Sequence, residues 1–275
     1  MNGKDPKVFS TWCDWVTIAT YKLESYTDLA AYLRRQEPTG WKGGTWLQYK
    51  GYRNKDINTF YGSGDQSNKK THYICVVSGS WAGQWLPDFL AQPFAEQFYC
   101  TRLDVEKTRV APSWWEPRKV KDRLGKLNIT TSMVESDTGS TVYIGSRRSG
   151  RFIRMYEKDY GRKYVRLEIE LKRHYARMAW EALLQGANIA DIYATHLDKC
   201  KLPDGLTVDF MPSEYDPVNL TYDSLNTDMQ KKWEWLLSLS DTFLKMANDH
   251  EYGERTRALF LYLSTPTEVE GDDID

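Results

Sequence analysis

Three predicted strands are followed directly by one helical segment, and this order constrains the fold more than any other feature of the sequence. The strands are predicted over residues 140–144, 151–158 and 164–171, and the turn-like segment GSRRSG joins the first two. The run KRHYARMAWEALLQG then has helical character and ends at a glycine. Because regular β-α-β alternation is missing, the pattern favours an α+β fold built on an antiparallel sheet.

Further elements are predicted along the rest of the chain. A strand over 12–20 precedes a helix that Ser25 or Thr27 would cap and that runs to Gln36. The other predicted elements are short strands and turns over 39–64, a strand from 71, a helix over 85–97, a strand over 98–105, a loop over 111–118, a helix over 120–127 and a helix over 229–248. We expect one domain over residues 1–266 and an acidic, solvated tail over 267–275.

Basic residues are concentrated in the middle of the chain. The protein has 275 residues and a net charge of −1, which does not by itself indicate a nucleic-acid partner. Residues 145–178, however, contain eleven Lys and Arg against four Asp and Glu. This local excess predicts a site for a polyanion.

Several common functional classes are excluded by what the sequence lacks. It has no GxxxxGK[ST] phosphate loop, no GxGxxG, no HExxH and no GxSxG, and no two of its four His are one residue apart. The four Cys are far apart, which disfavours a zinc site. Neither an apolar run of eighteen residues nor a secretory signal is present, so we expect a cytoplasmic protein without a membrane partner.

Acidic residues alternate along three of the predicted strands. The side chains that alternation places together are Arg166, Glu168 and Glu170 in one strand, Arg102, Asp104 and Glu106 in another, and Ile153, Met155 and Glu157 in the third. Carboxylates from separate strands on one face suit Mg²⁺ or Mn²⁺. The alternative is that each acid pairs with the Arg beside it on a solvated face.

Tyrosine offers a candidate nucleophile. Five tyrosines lie in or near the basic segment: Tyr143, Tyr156, Tyr160, Tyr164 and Tyr175. A phenol is a poor nucleophile toward a phosphodiester until a neighbouring cation or metal stabilises the phenolate. The alternative for each is an ordinary amphipathic packing residue.

Two long motifs stand out in the second half of the chain: TVYIGSRRSGRFIRMYEK at 141–158 and RLEIELKRHYARMAWEALL at 166–184. They resemble the replication initiation factor (Rep-trans) family, which comprises rolling-circle initiators of plasmids and filamentous phages and related conjugative relaxases. Shorter matches are WCDWVTIAT near the start, YCTRLDVE at 99–106 and KKWEWLL in the last predicted helix. The resemblance implies a curved antiparallel sheet with helices packed on one face.

The same resemblance implies nicking of one DNA strand by a tyrosine, with a 5′-phosphotyrosine link and a free 3′-hydroxyl. Asp104, Glu157 and Glu168 match the family's acids and are the expected ligands of Mg²⁺ or Mn²⁺. Lys158 is expected to stabilise the developing negative charge. The expected contacts to DNA phosphates are Arg102, Arg147, Arg148, Arg154, Arg166 and Lys172.

The nucleophile departs from the family pattern. The family's tyrosine lies about where Arg177 and Met178 stand here, and neither can attack. Tyr175 is the nearest substitute on the same helix and is our first prediction, with His174 as a general base or a surface residue. The alternatives are a strand tyrosine, Tyr156 or Tyr143, or a protein that binds DNA without nicking it.

These features predict a metal-dependent initiator of rolling-circle replication that nicks and rejoins origin DNA, single-stranded or in a hairpin. The resemblance also extends the prediction to a host helicase partner and a homodimer. One alternative is a DNA-binding regulator or relaxase-like protein of a mobile element without nicking activity. Another is a ribonuclease or RNA-binding protein with stacking aromatics on an exposed sheet.

Overall fold

Ten strands form one antiparallel sheet in the computed structural model of the protein, which describes residues 11–65, 70–137, 139–158 and 164–218. The strands are β1 Thr11–Thr20, β2 Trp41–Trp46, β3 Tyr49–Asn54, β4 Thr59–Asp65, β5 Thr71–Ser78, β6 Tyr99–Val110, β7 Thr131–Ser136, β8 Gly139–Ile144, β9 Arg151–Lys158 and β10 Tyr164–Lys172. Their order across the sheet is β2-β3-β4-β5-β1-β6-β10-β9-β8-β7. Two neighbouring meanders therefore meet at the central strands β1, β6 and β10.

Six α-helices lie within the described residues. They are α1 Leu23–Gln36, α2 Ser80–Leu90, α3 Pro117–Lys126, α4 His174–Leu184, α5 Ile189–Asp198 and α6 Asp204–Thr207, and a short 3-10 helix covers Ala95–Gln97. All described residues belong to one compact unit, Met1–Thr221. The predicted helix over 229–248, the predicted tail over 267–275 and Tyr160 lie outside the described residues, and the proposed domain boundaries stay a prediction.

The two faces of the sheet differ in chemistry, and we name each by one residue of β6. The pairing of β6 with β10 sets Leu171 opposite Leu103 and Glu170 opposite Asp104. The Leu103 face carries Leu103, Val105, Leu167 and Ile169, all fully buried. The Asp104 face carries the charged residues of the same strands. Alternation in β6 and β10 thus produces the two faces, as the sequence predicts.

Helices cover the Leu103 face. Trp180 of α4 donates its Nε1–H to the carbonyl of Phe98 at 2.9 Å, and its ring lies 5.9 Å from that of Phe89 in α2. Phe89 in turn packs edge-on against Tyr32 of α1. Arg151, on the Leu103 face of β9, donates to the carbonyl of His196 in α5. The predicted α+β fold with helices on one face of an antiparallel sheet is confirmed.

Several element ends differ from the prediction for local reasons. Helix α1 begins at Leu23 after Lys22, so neither Ser25 nor Thr27 caps it, and the Thr27 hydroxyl donates to the carbonyl of Leu23 inside the helix. Helix α2 begins at Ser80, earlier than predicted, and ends at Leu90. The sequence interpretation did not include β7 or α5, although an Asn188-Asp191 capping box marks the start of α5.

Candidate functional site

Three carboxylates from adjacent strands meet on the Asp104 face, and we call them the acid cluster: Asp104 of β6 with Glu168 and Glu170 of β10. Glu170 pairs directly with Asp104 across the ladder, and Glu168 is two residues along β10 from Glu170. All three are at least 96% buried. Buried like charges this close require cations beside them.

Arginines supply those cations. Arg154 of β9 places its Nη2 at 3.0 Å from Asp104 Oδ2 and in contact with Glu168 Oε1, while Glu170 Oε2 lies 3.7 Å away. Arg102 binds Asp104 through two parallel hydrogen bonds, of 2.9 and 2.6 Å, and reaches Glu170 at 3.1 Å. Three carboxylates are therefore bound by a shared pair of guanidinium groups, an arrangement of charge-assisted bonds.

The surroundings shift the pKa values of Asp104 and Glu170 in opposite directions. Burial raises the pKa of Asp104 to about 7, although the hydrogen bond from Arg102 opposes that rise. Burial also acts to raise the pKa of Glu170, but a 2.7 Å bond from Lys172 and the charge of Arg102 outweigh it, so the pKa lies below its usual range. The arginines and Lys172 therefore oppose the effect of burial on both acids, and they outweigh it at Glu170.

A second ion-pair group lies beside the first, on the Asp104 face. Arg166 Nη2 contacts Glu106 Oε1 at 2.9 Å, and Arg166 Nη1 is 3.6 Å from Asp14 Oδ1. The Thr108 hydroxyl accepts from Arg166 Nε and donates to Glu106 Oε2, both at 2.9 Å. Burial raises the pKa of Glu106 to about 7. Arg166 is itself almost fully buried, so the structure places it within the fold rather than at the surface where a DNA phosphate would contact it.

Glu157 lies apart from the acid cluster. Its neighbours Ile153 and Met155 are buried on the Leu103 face, and the strand alternation puts Glu157 on that face too. Its Oε2 accepts a hydrogen bond from the Ser140 backbone at 2.9 Å, and its Oε1 accepts one from Trp115 at 3.4 Å. The structure brings Asp104 and Glu168 together but turns Glu157 away from them.

These positions bear on the divalent metal that the resemblance implies. Arg154 lies beside Asp104 and Glu168, two of the carboxylates expected to ligate the ion, and its guanidinium forms ion pairs with their oxygen atoms. Within the described part of the chain, no group of three His, Cys, Asp or Glu is arranged to hold a metal. The residues as arranged do not fit a Mg²⁺ or Mn²⁺ site, which needs several free oxygen ligands.

Tyr175 lies where β10 passes into α4. Arg173, at the turn, has φ 56°, and Tyr175 follows in the first helical turn. Its ring packs 4.6 Å from the Arg151 guanidinium carbon, 4.0 Å from the His174 ring and 5.8 Å from that of His196. These partners put Tyr175 on the side of the Leu103 face and α5, at the end of the sheet.

The turn between β8 and β9, residues 145–150, lies next to Tyr175, and we call it the basic turn. Its Arg147 and Arg148 are exposed, and Lys172 Nζ donates to the carbonyl of Arg147 at 2.6 Å. The Lys172 backbone N–H also donates to Gly150 at 2.7 Å. The structure therefore brings three predicted DNA contacts to the same end of the sheet as Tyr175.

Lys158 is at the other end of β9. Seven residues separate it from Arg151, which corresponds to roughly 23 Å along an extended strand. Its charge acts on Glu106, so it lies on the Asp104 face near the second ion-pair group. The structure does not bring Lys158 to Tyr175. Arg151, which the sequence analysis did not single out, is the cation there.

The two strand tyrosines have different surroundings. The Tyr156 hydroxyl donates to Glu168 Oε2 at 3.0 Å, and burial raises its pKa far above the ordinary value. Tyr143 is half-buried and stacks on Phe152, with ring centroids 5.7 Å apart. Tyr156 is thus held as a protonated hydrogen-bond donor, and Tyr143 as a stacking residue.

A group that the sequence analysis missed surrounds His72. Both of its ring nitrogens lie 2.7 Å from phenol oxygens, Nδ1 from Tyr49 and Nε2 from Tyr99. The Arg177 guanidinium, where the family's tyrosine is expected, is 4.8 Å from the Tyr99 ring. Burial lowers the pKa of His72, which favours the neutral imidazole. Only the fold could reveal this group, because its members come from three strands and a helix that are far apart in sequence.

The fold is that of a replication initiator. It is similar to the structure of the rolling circle replication initiator protein from Geobacillus stearothermophilus, with a TM-score of 0.51 and 17% sequence identity over 69% of this chain and 84% of that chain. No curated protein matches the sequence. The family model for the replication initiation factor (Rep-trans) matches residues 116–259, more than half of the chain, and the protein belongs to that family. In the described ranges, no helix is long and apolar enough to cross a membrane.

Proposed function

We propose that this protein initiates rolling-circle replication by nicking one strand of origin DNA with a tyrosine and later rejoining it. The observation that supports this most directly is the position of Tyr175, between Arg151 and the exposed basic turn, in a chain of the replication initiation factor family. The phenol has cations beside it, and the turn offers charges to the phosphates on either side of the scissile bond.

The nicking step follows from the groups around Tyr175. The Tyr175 oxygen attacks phosphorus and its proton passes to His174, while the bond from phosphorus to the 3′ oxygen breaks and that oxygen takes a proton from solvent. Burial and the charge of Arg151 lower the pKa of His174, which favours the neutral imidazole with a free lone pair. Arg151 stabilises the phenolate as it forms. Attack by the free 3′-hydroxyl reverses the reaction and rejoins the strand.

Tyr99 is a second candidate for the nucleophile, because the His72 imidazole is hydrogen-bonded to its hydroxyl and Tyr49 orients that imidazole. Its oxygen is 2.7 Å from His72 Nε2, and Tyr49 holds the other nitrogen of the ring. This is the general geometry of a nucleophile oriented by an imidazole, but burial raises the pKa of Tyr99 above its ordinary value, as it does for Tyr156. Tyr99 also lies on the strand that carries Asp104, whereas Tyr175 packs on the helix side.

The dependence of nicking on Mg²⁺ or Mn²⁺ is a prediction from the sequence, and the nicking assay tests it. Arg154 and Arg102 already neutralise the acid cluster, so no step above is assigned to a metal. The homodimer and the host helicase likewise stay predictions from the family resemblance.

The test incubates the full chain with supercoiled DNA carrying the origin of its own replicon, with Mg²⁺ or Mn²⁺ and with EDTA, and maps any covalent DNA-peptide adduct by mass spectrometry. We expect an adduct on Tyr175 and loss of nicking, by at least a thousandfold, in Tyr175→Phe. Tyr73→Phe is the control, because Tyr73 stacks on Tyr26 away from both candidates. An adduct on Tyr99, Tyr143 or Tyr156 would identify that residue as the nucleophile and leave the proposed function unchanged. Tight DNA binding without any adduct would identify a non-nicking regulator.

A further inference from the structure

The Asp104 face continues from the acid cluster into an aromatic region on β1, β2, β3 and β4. Two tryptophans lie there between two arginines, and we call Arg102, Trp15, Trp46 and Arg53 the Arg-Trp row. The Arg102 guanidinium carbon lies 4.4 Å from the Trp15 ring, Trp15 lies 5.8 Å from Trp46, and the Arg53 guanidinium carbon is 5.2 Å from the Trp46 ring. Arg102 also binds Asp104, so an unbroken row of contacts joins the acid cluster to Arg53.

A cavity of about 310 Å³ opens beside this row. It is lined by Trp46, Arg53, Asn54, Lys55, Asn58, Thr59, Phe60, Val76 and Ser78. Trp46 and Phe60 provide apolar walls, with ring centroids 6.4 Å apart. Arg53 and Lys55 provide two positive charges, and no acidic residue is among the lining side chains. The volume is at the lower end of the range for small-molecule sites, which runs from about 300 to 1,000 Å³.

The hydrogen bonds of the lining residues indicate which of them are available to a ligand. Asn54 donates to the carbonyl of Thr39 and accepts from the Asp56 backbone, so its amide holds the local turn. The Thr59 hydroxyl is bound to the carbonyl of Ile57. The Ser78 hydroxyl donates to the carbonyl of Asn58, so Arg53, Lys55 and the exposed side chain of Asn58 remain as the polar groups that face an occupant.

We infer that this cavity binds one unpaired base of single-stranded DNA, with the Arg-Trp row beside it. The inference rests on the proposed function and extends it to a binding site. Aromatic faces with arginine beside them are how proteins stack single-stranded bases, and positive charge at the mouth suits the adjoining phosphates. Ser78 pairs with Trp15 and Trp15 with Asp104, so the cavity wall is two strands, about 10 Å, from the acids.

The test measures binding of a fluorescein-labelled single-stranded oligonucleotide from the origin by anisotropy. We expect Trp46→Ala to weaken binding by about tenfold to a hundredfold, the range seen when one stacking residue is lost. Trp41→Ala is the matched control: Trp41 belongs to the same strand but faces the other way, donating to Glu37 and packing against Tyr61. We expect it to change binding less than twofold. Thermal unfolding checks that both variants fold.

A second measurement identifies the occupant as a base. Oligonucleotides with 2-aminopurine at successive positions should show quenching at one position with the wild type, and that quenching should be absent with Trp46→Ala. Arg53→Gln should weaken binding at least fivefold, and Arg35→Gln on the exposed surface of α1 should not. If the wild type nicks the origin but Trp46→Ala and Trp41→Ala bind alike, or if RNA of the same sequence binds more tightly, the inference is wrong and the proposed function stands. If the wild type neither nicks nor binds the origin, the proposed function itself fails.

Discussion

Arg154 lies among the three carboxylates of the acid cluster. One nitrogen of its guanidinium contacts all three carboxylates, and its Nε is buried without a hydrogen-bond partner. A buried group of this kind is stable only while the opposite charges remain together. The side chain therefore stabilises the folded Asp104 face.

Replacing Arg154 with methionine tests how much this side chain contributes to the stability of the fold. We expect Arg154→Met to lower the free energy of unfolding by about 3 kcal/mol, because it leaves buried carboxylates without their shared cation. Arg118→Met is the control, since the Arg118-Glu135 pair is exposed and worth less than about 1 kcal/mol. Urea unfolding at pH 7.5 measures both.

The same variant also reports on the divalent ion. With the guanidinium removed, oxygen atoms of the acid cluster become available, so we expect 1 mM Mn²⁺ to raise the melting temperature of Arg154→Met more than that of the wild type. An equal shift in both proteins, or a loss of stability no larger than for Arg118→Met, would contradict the role given to Arg154.

Strand alternation predicted the facing of individual acids, and the family resemblance did not. From the sequence, Glu168 and Glu170 share a face with Arg166, and Glu157 shares one with Ile153 and Met155; the structure has both arrangements. The structure also shows the alternative in which acids pair with arginines, although on a buried face and not a solvated one. What the sequence could not supply is which arginine reaches which acid, because Arg154 joins the cluster from a neighbouring strand.

Helix α4 depends on how the chain leaves β10. Arg173 adopts φ 56°, a region that costs non-glycine residues about 1 kcal/mol or more, and this turn directs the helix back over the Leu103 face. The basic turn fits closely against the first helical turn. A methyl group on Gly150 would lie 2.5 Å from Tyr175 Cδ2 and 3.2 Å from the Lys172 carbonyl. The position of Tyr175 is thus set by two elements at once.

Gly150→Ala therefore tests whether the position of Tyr175 matters for nicking. The added methyl group displaces the ring, and a displacement near 1 Å at a reacting group can cost about a hundredfold in rate. We expect nicking to fall by about tenfold to a hundredfold while DNA affinity changes little. Gly125→Ala is the control, because no atom lies within 4 Å of the added group there. Unchanged nicking by Gly150→Ala would favour Tyr99 as the nucleophile.

Local sequence patterns predicted the existence of strands and helices better than the residues at which they begin and end. The predicted strand 151–158 matches β9. Helix α3, predicted over 120–127 after a loop over 111–118, begins earlier, at Pro117 in the first helical position, where proline is favoured. The predicted helix over 85–97 was wrong at both ends, since Gly79 with φ 69° starts α2 earlier and the chain turns after Leu90. Non-local pairing decided the rest: the order of ten strands and the Tyr49-His72-Tyr99 group follow from tertiary contacts.

Across the whole sheet, the Asp104 face joins regions with different chemistry. The His72 group and the Arg-Trp row extend from β6 across the strands on its β1 side, and the acid cluster with the second ion-pair group lies mainly on β6, β9 and β10. The basic turn projects from the end of β8 and β9. The net charge of −1 therefore does not show the local excess of basic residues over 145–178, which includes the exposed Arg147 and Arg148.

This distribution predicts how DNA affinity depends on salt. Each phosphate neutralised on a single strand contributes about 0.7 to the slope of log affinity against log salt concentration, because bound counterions are released. Arg147 and Arg148 are exposed in the basic turn, so replacing both with glutamine should reduce the slope by about 1.4 and weaken binding to all sequences alike. Lys121→Gln with Lys126→Gln, on the exposed side of α3, removes the same charge elsewhere and should leave the slope nearly unchanged. Anisotropy titrations of an origin oligonucleotide at four salt concentrations measure both. Equal slopes for the two double variants would mean that net charge, and not the basic turn, attracts the DNA.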